Sequence, residues 1–361
     1  MTKIIHDVQK ELVRASANGF QLQEMHDSVE MGNMAKPMLL TALMGGTTST
    51  VFNQTSVFEY DLEKYTPVLV GGKSYTERGK DIPKDHAETR YYKIGSKGIR
   101  LNVAPSDVAE RRKPGTNDFL SVEDILAKQN MKALDAFDFE RELEYASLLT
   151  TRTNRTAGGP FPTYNFHQDI LDAAIPAATE IDFDSVGADP RRDTRKAVEA
   201  LEIKLASYGL RASAFVVICG GNYMDKAYSA EQLVNFGREL RSTVDLVSMA
   251  VPTITADGFR YQNFDSPVSG VTYIQYNGAL GGSALVGAND AYLIPVIANE
   301  SMVKEVYAPA MGSMADVNET ASEMYIWSYE DNFEGVTAFY EQNKLSMLPR
   351  PDLITKLAIK A

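Results

Sequence analysis

Hydrophobic positions recur at helical spacing over one stretch, Ser121 to Arg152, that contains neither Gly nor Pro. Val122, Ile125, Leu126, Leu134, Phe137, Leu148 and Leu149 are separated by Asp, Glu and Lys in the pattern of an amphipathic helix. Ser121 followed three residues later by Asp124 reads as an acidic variant of the capping box. At about 1.5 Å per residue such a helix is a rod of about 45 Å. Gln129, Asn130, Lys132 and Asp135 interrupt any heptad, so one face should pack on its own domain rather than in a coiled coil. Leu134 is expected in that buried face, where a charge would damage folding.

Alternation replaces helical spacing on either side. VFEYDLEKYTPVLV, from Val57, carries β-branched and aromatic residues at strand period. Gly71–Gly72 marks a turn, a polar stretch follows, and GIRLNVAP reads as the returning strand of a long excursion with a polar tip. After the rod, TAGGPFPTYN breaks the chain. Asp189–Pro190 opens a second helix, with Ala197, Val198, Leu201, Leu205 and Tyr208 on one face and Gly209 at its end. SAFVVICGG is a buried strand and NYMDKAYSAEQLVNFGREL a helix, and VSGVTYIQYNG and GSALVGAN are further strands. Strand and helix alternate from about 190 to 330, a mixed α/β unit, and the last thirty or so residues return to strand-like sequence. Residues 1–55 hold too few large apolar side chains for a core of their own and read as an arm, with Ile4, Ile5, Val8, Leu12 and Val13 lining a short helix.

Charge divides this picture. The chain carries a net −12, which argues against non-specific nucleic-acid binding. Between Lys73 and Arg100, however, eight basic residues face four acidic ones, among them Lys73, Arg78, Lys80, Lys84, Arg90 and Lys93. Between Asp118 and Tyr145 eight acidic residues face three basic ones, among them Glu123, Asp124, Asp135, Asp138 and Glu142. Two readings fit: both are solvated faces, or the basic excursion of one subunit lies over the acidic helix of another and sets register between them.

Catalytic and cofactor signatures are not found. GGN at Gly220 follows a strand without G-x-G-x-x-G, and GALGGSALVGAND lacks the Gly-Lys-Ser/Thr of a phosphate loop. The four histidines are not spaced as ligand pairs, and Glu24, His26, Asp27 and Glu30 form only a loose acidic cluster. No cofactor, metal or catalytic residue is expected. The lone Cys219, in the apolar run FVVIC, reads as a buried inert thiol, in keeping with a reducing compartment. Asp7 and Lys10 interrupt any signal peptide, and MLLTALM is too short to span a bilayer.

Several blocks in order carry a resemblance: RRKPGTNDFLSVEDIL with DFERELEYASLLTT and RTAGG, then SAFVVICGGNYMDKAY, then GSALVGANDAYLIPVIANESMVKEVYAPA, then NKLSMLPRPDLITKLAIK. Together they are similar to the major capsid proteins of tailed phages, in the lambda-like branch of the Hong Kong 97-type fold. That resemblance implies an α+β capsid fold. It implies an N-terminal arm at 1–55 and an extended β-hairpin loop at 56–105. A peripheral domain would take 106–184 and 333–348, with its spine helix at 121–152, and an axial domain 185–332 and 349–361. It implies a non-enzymatic head protein that self-assembles into hexamers and pentamers of an icosahedral shell around double-stranded DNA held without specific binding. Portal, scaffolding and decoration proteins are the implied partners, no membrane is involved, and the place is the virion, assembled in the host cytoplasm. Two alternatives stand beside it: an encapsulin-like nanocompartment shell protein, and a cytosolic α/β enzyme using residues 190–330.

Overall fold

The structure is a computed structural model. It describes residues 39–45, 49–63, 87–109, 119, 121–155, 161–185, 187–230, 253–254, 260–261, 263–265, 271–276, 278–280, 283–297, 301–312, 320–331 and 335–360. In chain order the first elements are α1 (Leu39–Gly45), β1 (Ser49–Phe52), β2 (Val57–Glu63), β3 (Ala87–Lys93), β4 (Gly95–Val103) and α2 (Pro105–Val108). Then come α3 (Val122–Thr151), α4 (Phe166–Leu171), β5 (Thr179–Ile181), α5 (Pro190–Ser207), β6 (Ala212–Cys219) and α6 (Gly221–Ser229). The remainder is strand: β7 (Thr253–Ile254), β8 (Arg260–Tyr261), β9 (Asn263–Asp265), β10 (Val271–Gln275), β11 (Ala279–Leu280), β12 (Ser283–Ala284), β13 (Asp290–Ile297), β14 (Lys304–Tyr307), β15 (Tyr325–Asp331), β16 (Gly335–Met347) and β17 (Thr355–Ile359). The chain divides into two compact units. The larger holds Pro37–Lys97, Arg141–Met324 and Gln342–Ala361, and the smaller holds Met1–Lys36, Gly98–Glu140 and Tyr325–Glu341.

The larger unit is built on a six-stranded sheet in the order β5-β17-β13-β6-β10-β9. β6 lies at its centre, parallel to β10 and antiparallel to β13. Val217, Ile218 and Cys219 are fully buried there, as a continuous apolar run in a two-sided strand should be. Helix α5 packs on β5 and β6 through Ala197, Val198, Leu201 and Leu205. Asp189 caps it by accepting the Arg192 backbone N–H at 2.9 Å, and Pro190 presets the first turn. Gly209, at φ +71°, terminates it in the left-handed region. Tyr208, placed on the buried face by its spacing, is instead 38% exposed.

In the smaller unit β15 runs antiparallel to the first half of β16, from Tyr325 opposite Glu341 to Asp331 opposite Gly335, and β4 also pairs with β16. The turn into β16 requires glycine: Gly335 sits at φ +91°, and a Cβ there would lie 2.1 Å from the Val103 carbonyl oxygen. The returning strand of the excursion therefore differs from expectation. β2 pairs with β3, Val57 opposite Lys93 through Glu63 opposite Ala87, while GIRLNV forms β4 and pairs with β16.

Helix α3 spans 30 residues and continues from one unit into the other. Its two halves differ. Before Arg141 only Ala133 and Phe137 are buried among the side chains described, and Leu134 is 43% exposed, which corrects its expected place in the core. From Glu142 to Leu149 nearly every side chain is buried, polar ones included. A helix buried on all sides shows no single apolar stripe, which is why no sustained repeat is visible.

Candidate assembly surfaces

Three features carry the chain's charge. The first is the hairpin. Its inward face presents Phe58, Tyr60, Arg90 and Tyr92. Tyr92 meets Tyr164 edge-on at 5.0 Å and Phe166 at 5.8 Å, and the Lys304 ammonium sits 5.2 Å from the Phe58 ring centre. Of the basic residues read from sequence, Lys73, Arg78, Lys80 and Lys84 lie outside the described residues. Arg90 is half-buried and pairs with Glu88 at 2.9 Å and Asp172 at 3.4 Å. Lys93 is exposed, its ammonium 5.7 Å over the Phe161 ring.

The second is the acidic helix. Glu123 and Asp124 lie in the first turns of α3, and Asp135 and Asp138 are half-buried farther along. Glu142 does not belong to an open face and is withdrawn from the candidate surface. It is fully buried, and its carboxylate accepts the Leu40 N–H at 2.8 Å, the Thr41 N–H at 2.9 Å, the Thr41 hydroxyl at 2.7 Å and the Tyr276 hydroxyl at 3.1 Å. Glu142 thus caps the N-terminus of α1 from across the fold. Burial raises its pKa, and these four donors act against that rise.

The third is an ionic network inside the larger unit, which sequence reading missed entirely. Glu144, one turn from Arg141, pairs with Lys97 and with Lys344 at 2.9 Å, and accepts the Ser346 hydroxyl at 2.6 Å. Lys344 also lies 3.6 Å from Glu305. Glu305 takes a two-pronged contact from Arg141 at 2.7 and 2.6 Å, with the Tyr145 and Tyr307 hydroxyls each at 3.2 Å. Burial by itself would raise the Glu144 pKa, but Lys344 and Lys97 outweigh it and hold the carboxyl down at about 2. The same surroundings push Tyr145 and Tyr307 well above the usual phenol range, by burial and by the neighbouring Glu305. Glu144, Glu305 and Lys344 are buried at the centre of this network, while Lys97 and Arg141 reach it from a partly exposed rim. They tie helix α3 to β4, β14 and β16, and Lys97, Glu144 and Lys344 also line a small cavity with Asn154 and Phe161.

Elsewhere a shallow groove runs past Asn222, Asp225, Lys226, Asn289 and Lys360, but Lys226 is paired with Asp184 at 2.7 Å and Lys360 with Asp182 at 3.1 Å. Among the described residues no His, Cys, Asp or Glu group is arranged to hold a metal, and no helix is long and apolar enough to cross a membrane. Cys219 is fully buried, and burial pushes its thiol well above the usual range.

The fold is of the mixed α+β, Hong Kong 97-type capsid class. The mature capsid subunit of bacteriophage PhiM1 superposes with a TM-score of 0.53 at 12% identity, over 94% of this chain and 92% of that one. A protein assigned as the capsid protein of an Escherichia coli CFT073 prophage gives 0.50 at 13%, over 91% and 96%. An encapsulin complex of Synechococcus elongatus PCC 7942 gives 0.45 at 13%, over 95% and 94%, a likeness too low to bear on the choice. No curated protein matches the sequence. Residues 22–359 match the model of the phage major capsid protein E family, and the chain belongs to that family.

Proposed function

We propose that this chain is the head subunit of a tailed phage, assembling with copies of itself into hexamers and pentamers of an icosahedral shell around double-stranded DNA. The observation that carries the reading is the family match across residues 22–359. The subunit has no catalytic activity in this reading. Its charged clusters are engaged in packing, as at Glu144 and Glu305, and a shell needs head-to-tail contacts rather than a reaction centre. In domain terms, residues 1–55 are the arm, 56–105 the extended loop, 106–184 with 333–348 the peripheral domain, and 185–332 with 349–361 the axial domain. Portal and scaffolding proteins join during assembly in the host cytoplasm, a decoration protein binds the outside, and DNA is enclosed without specific contacts.

Complementary charge between copies guides the register in this reading. Lys73, Arg78, Lys80 and Lys84, with Lys93, are the cations of the loop, and Glu123, Asp124, Asp135 and Asp138 are the anions of the helix. Electron microscopy of the purified protein tests the function directly. Closed shells are expected, whereas a stable monomer of about 40 kDa at high concentration on size exclusion would overturn the reading.

A further inference from the structure

We propose that the small cavity where α3, β4 and β16 meet is a binding site for a monatomic anion, chloride in solution, held by the Lys344 ammonium. The inference concerns the folded subunit alone and stands apart from the shell reading above.

The start of β4, the buried half of α3 and the end of β16 enclose this cavity, all within the larger unit. Its volume is about 20 Å³, room for one particle the size of a water molecule and too little for a tetrahedral oxyanion. The wall carries three cations, Lys97, Arg155 and Lys344, and a single carboxylate, Glu144. The Lys344 side chain is 1% exposed, and its ammonium lies 2.9 Å from Glu144 and 3.6 Å from Glu305. Neither contact has the geometry of a hydrogen bond, so the buried ammonium is without a hydrogen-bonded acceptor. Glu305 is turned to Arg141, which grips it with two N–H groups at 2.7 and 2.6 Å. An ammonium carries three donors, and leaving a charged donor unmet in the interior is costly.

The chemistry of the wall favours an anion over water. A buried water both donates and accepts, so it needs acceptors as well as donors around it. The side chains here offer few. Glu144 already accepts from Lys97 and from the Ser346 hydroxyl, and the Asn154 Oδ1 takes the Tyr164 N–H at 2.6 Å. A halide ion only accepts. It draws charge-assisted hydrogen bonds from ammonium and guanidinium N–H groups, which are the groups this wall supplies. Its charge also offsets the excess of cations over carboxylate in the wall, which burial would otherwise penalise.

Thermal unfolding of the subunit in sodium chloride tests the proposal, with sodium gluconate added to hold the ionic strength constant. Screening is then fixed, and only the supply of an anion small enough for the cavity changes. Raising chloride about a hundredfold is expected to lift the unfolding temperature by about 2 °C or more, the mass-action effect of a ligand bound by the folded state alone. Sodium bromide is expected to do the same, and crystals grown in it to show an anomalous scatterer within hydrogen-bonding distance of the Lys344 Nζ. Lys344→Met is expected to lower the unfolding temperature at every concentration and to abolish its dependence on chloride. Lower stability with the chloride dependence intact would mean that Lys344 serves packing alone, and overturns the proposal. A chloride-independent melt of the wild type, with no bromide in the cavity, also overturns it and is the outcome for a buried water only. Should Lys344→Met fail to fold, the bromide map of the wild type decides, and an empty cavity there is the disproof.

Discussion

Glu144 shows at the scale of one residue how a buried charge is held. Replacing it with Gln leaves Lys344 and Lys97 in the interior without their carboxylate, and breaking a buried pair of this kind costs about 3–5 kcal/mol. Urea unfolding of Glu144→Gln should register that loss. The pH dependence has a definite sign. Because the folded-state pKa of Glu144 is depressed to about 2 from a reference of 4.5, its contribution is fully present above pH 4.5 and disappears as pH falls toward 2. The wild-type urea midpoint should fall through that window, and Glu144→Gln should flatten the fall. Glu142 works in the opposite direction, since its raised pKa favours the folded state more as the group becomes protonated. Substituting Gln there replaces one of two acceptor oxygens with a donor facing donors, at a cost of about 1–3 kcal/mol. Faster amide exchange at Leu40 and Thr41 would be its signature. On α3, Leu134→Asp should change stability by no more than about 0.5 kcal/mol because the side chain is exposed, while Phe137→Ala should cost about 3 kcal/mol. Thermal melts of the pair distinguish the two positions.

Among the elements, the turn into β16 is the most sensitive to a single methyl group. Gly335→Ala meets both a positive φ and a 2.1 Å approach to the Val103 carbonyl oxygen, so a loss of about 2 kcal/mol or more is expected in chemical denaturation. The elements also show what is legible in a sequence. Helix α5 was readable because its cap, its period and its closing glycine agree, and β6 because VVIC is apolar on both faces. β3 was not readable, because its inward face is Arg90 and Tyr92 rather than aliphatic, so ETRYYK looks polar throughout. GIRLNV was recognised as a strand but given the wrong partner, since local alternation says nothing about pairing with β16 more than two hundred residues away. On α3, Leu134 outweighed Ala133 in the pattern although Ala133 is the buried one. Glu142 and Glu144 were counted into a surface charge because their partners, Tyr276, Lys344 and residues of α1, are distant in the chain.

For the whole molecule, the burial of Glu142 and Glu144 leaves a less acidic helix surface than composition suggests. Attraction between exposed charges fades beyond a Debye length, which shrinks from about 8 Å at physiological ionic strength to about 3 Å at 1 M. Shell yield should therefore fall as salt rises, while the unfolding midpoint of the isolated subunit, whose ionic network is buried, should hardly move. Light scattering and urea titration over the same series of sodium gluconate concentrations would separate the two.

The solitary thiol at the centre of the six-stranded sheet is a ready-made clock. Cys219 lies on β6 between β10 and β13, its sulfur 3.6 Å from the Met224 sulfur, and the chain has no other cysteine. A thiol reagent can reach it only when that sheet opens, so the rate of its modification counts openings of the larger unit without any introduced label. The same count taken on free subunits and on closed shells would report how far the presence of neighbours slows the breathing of each one.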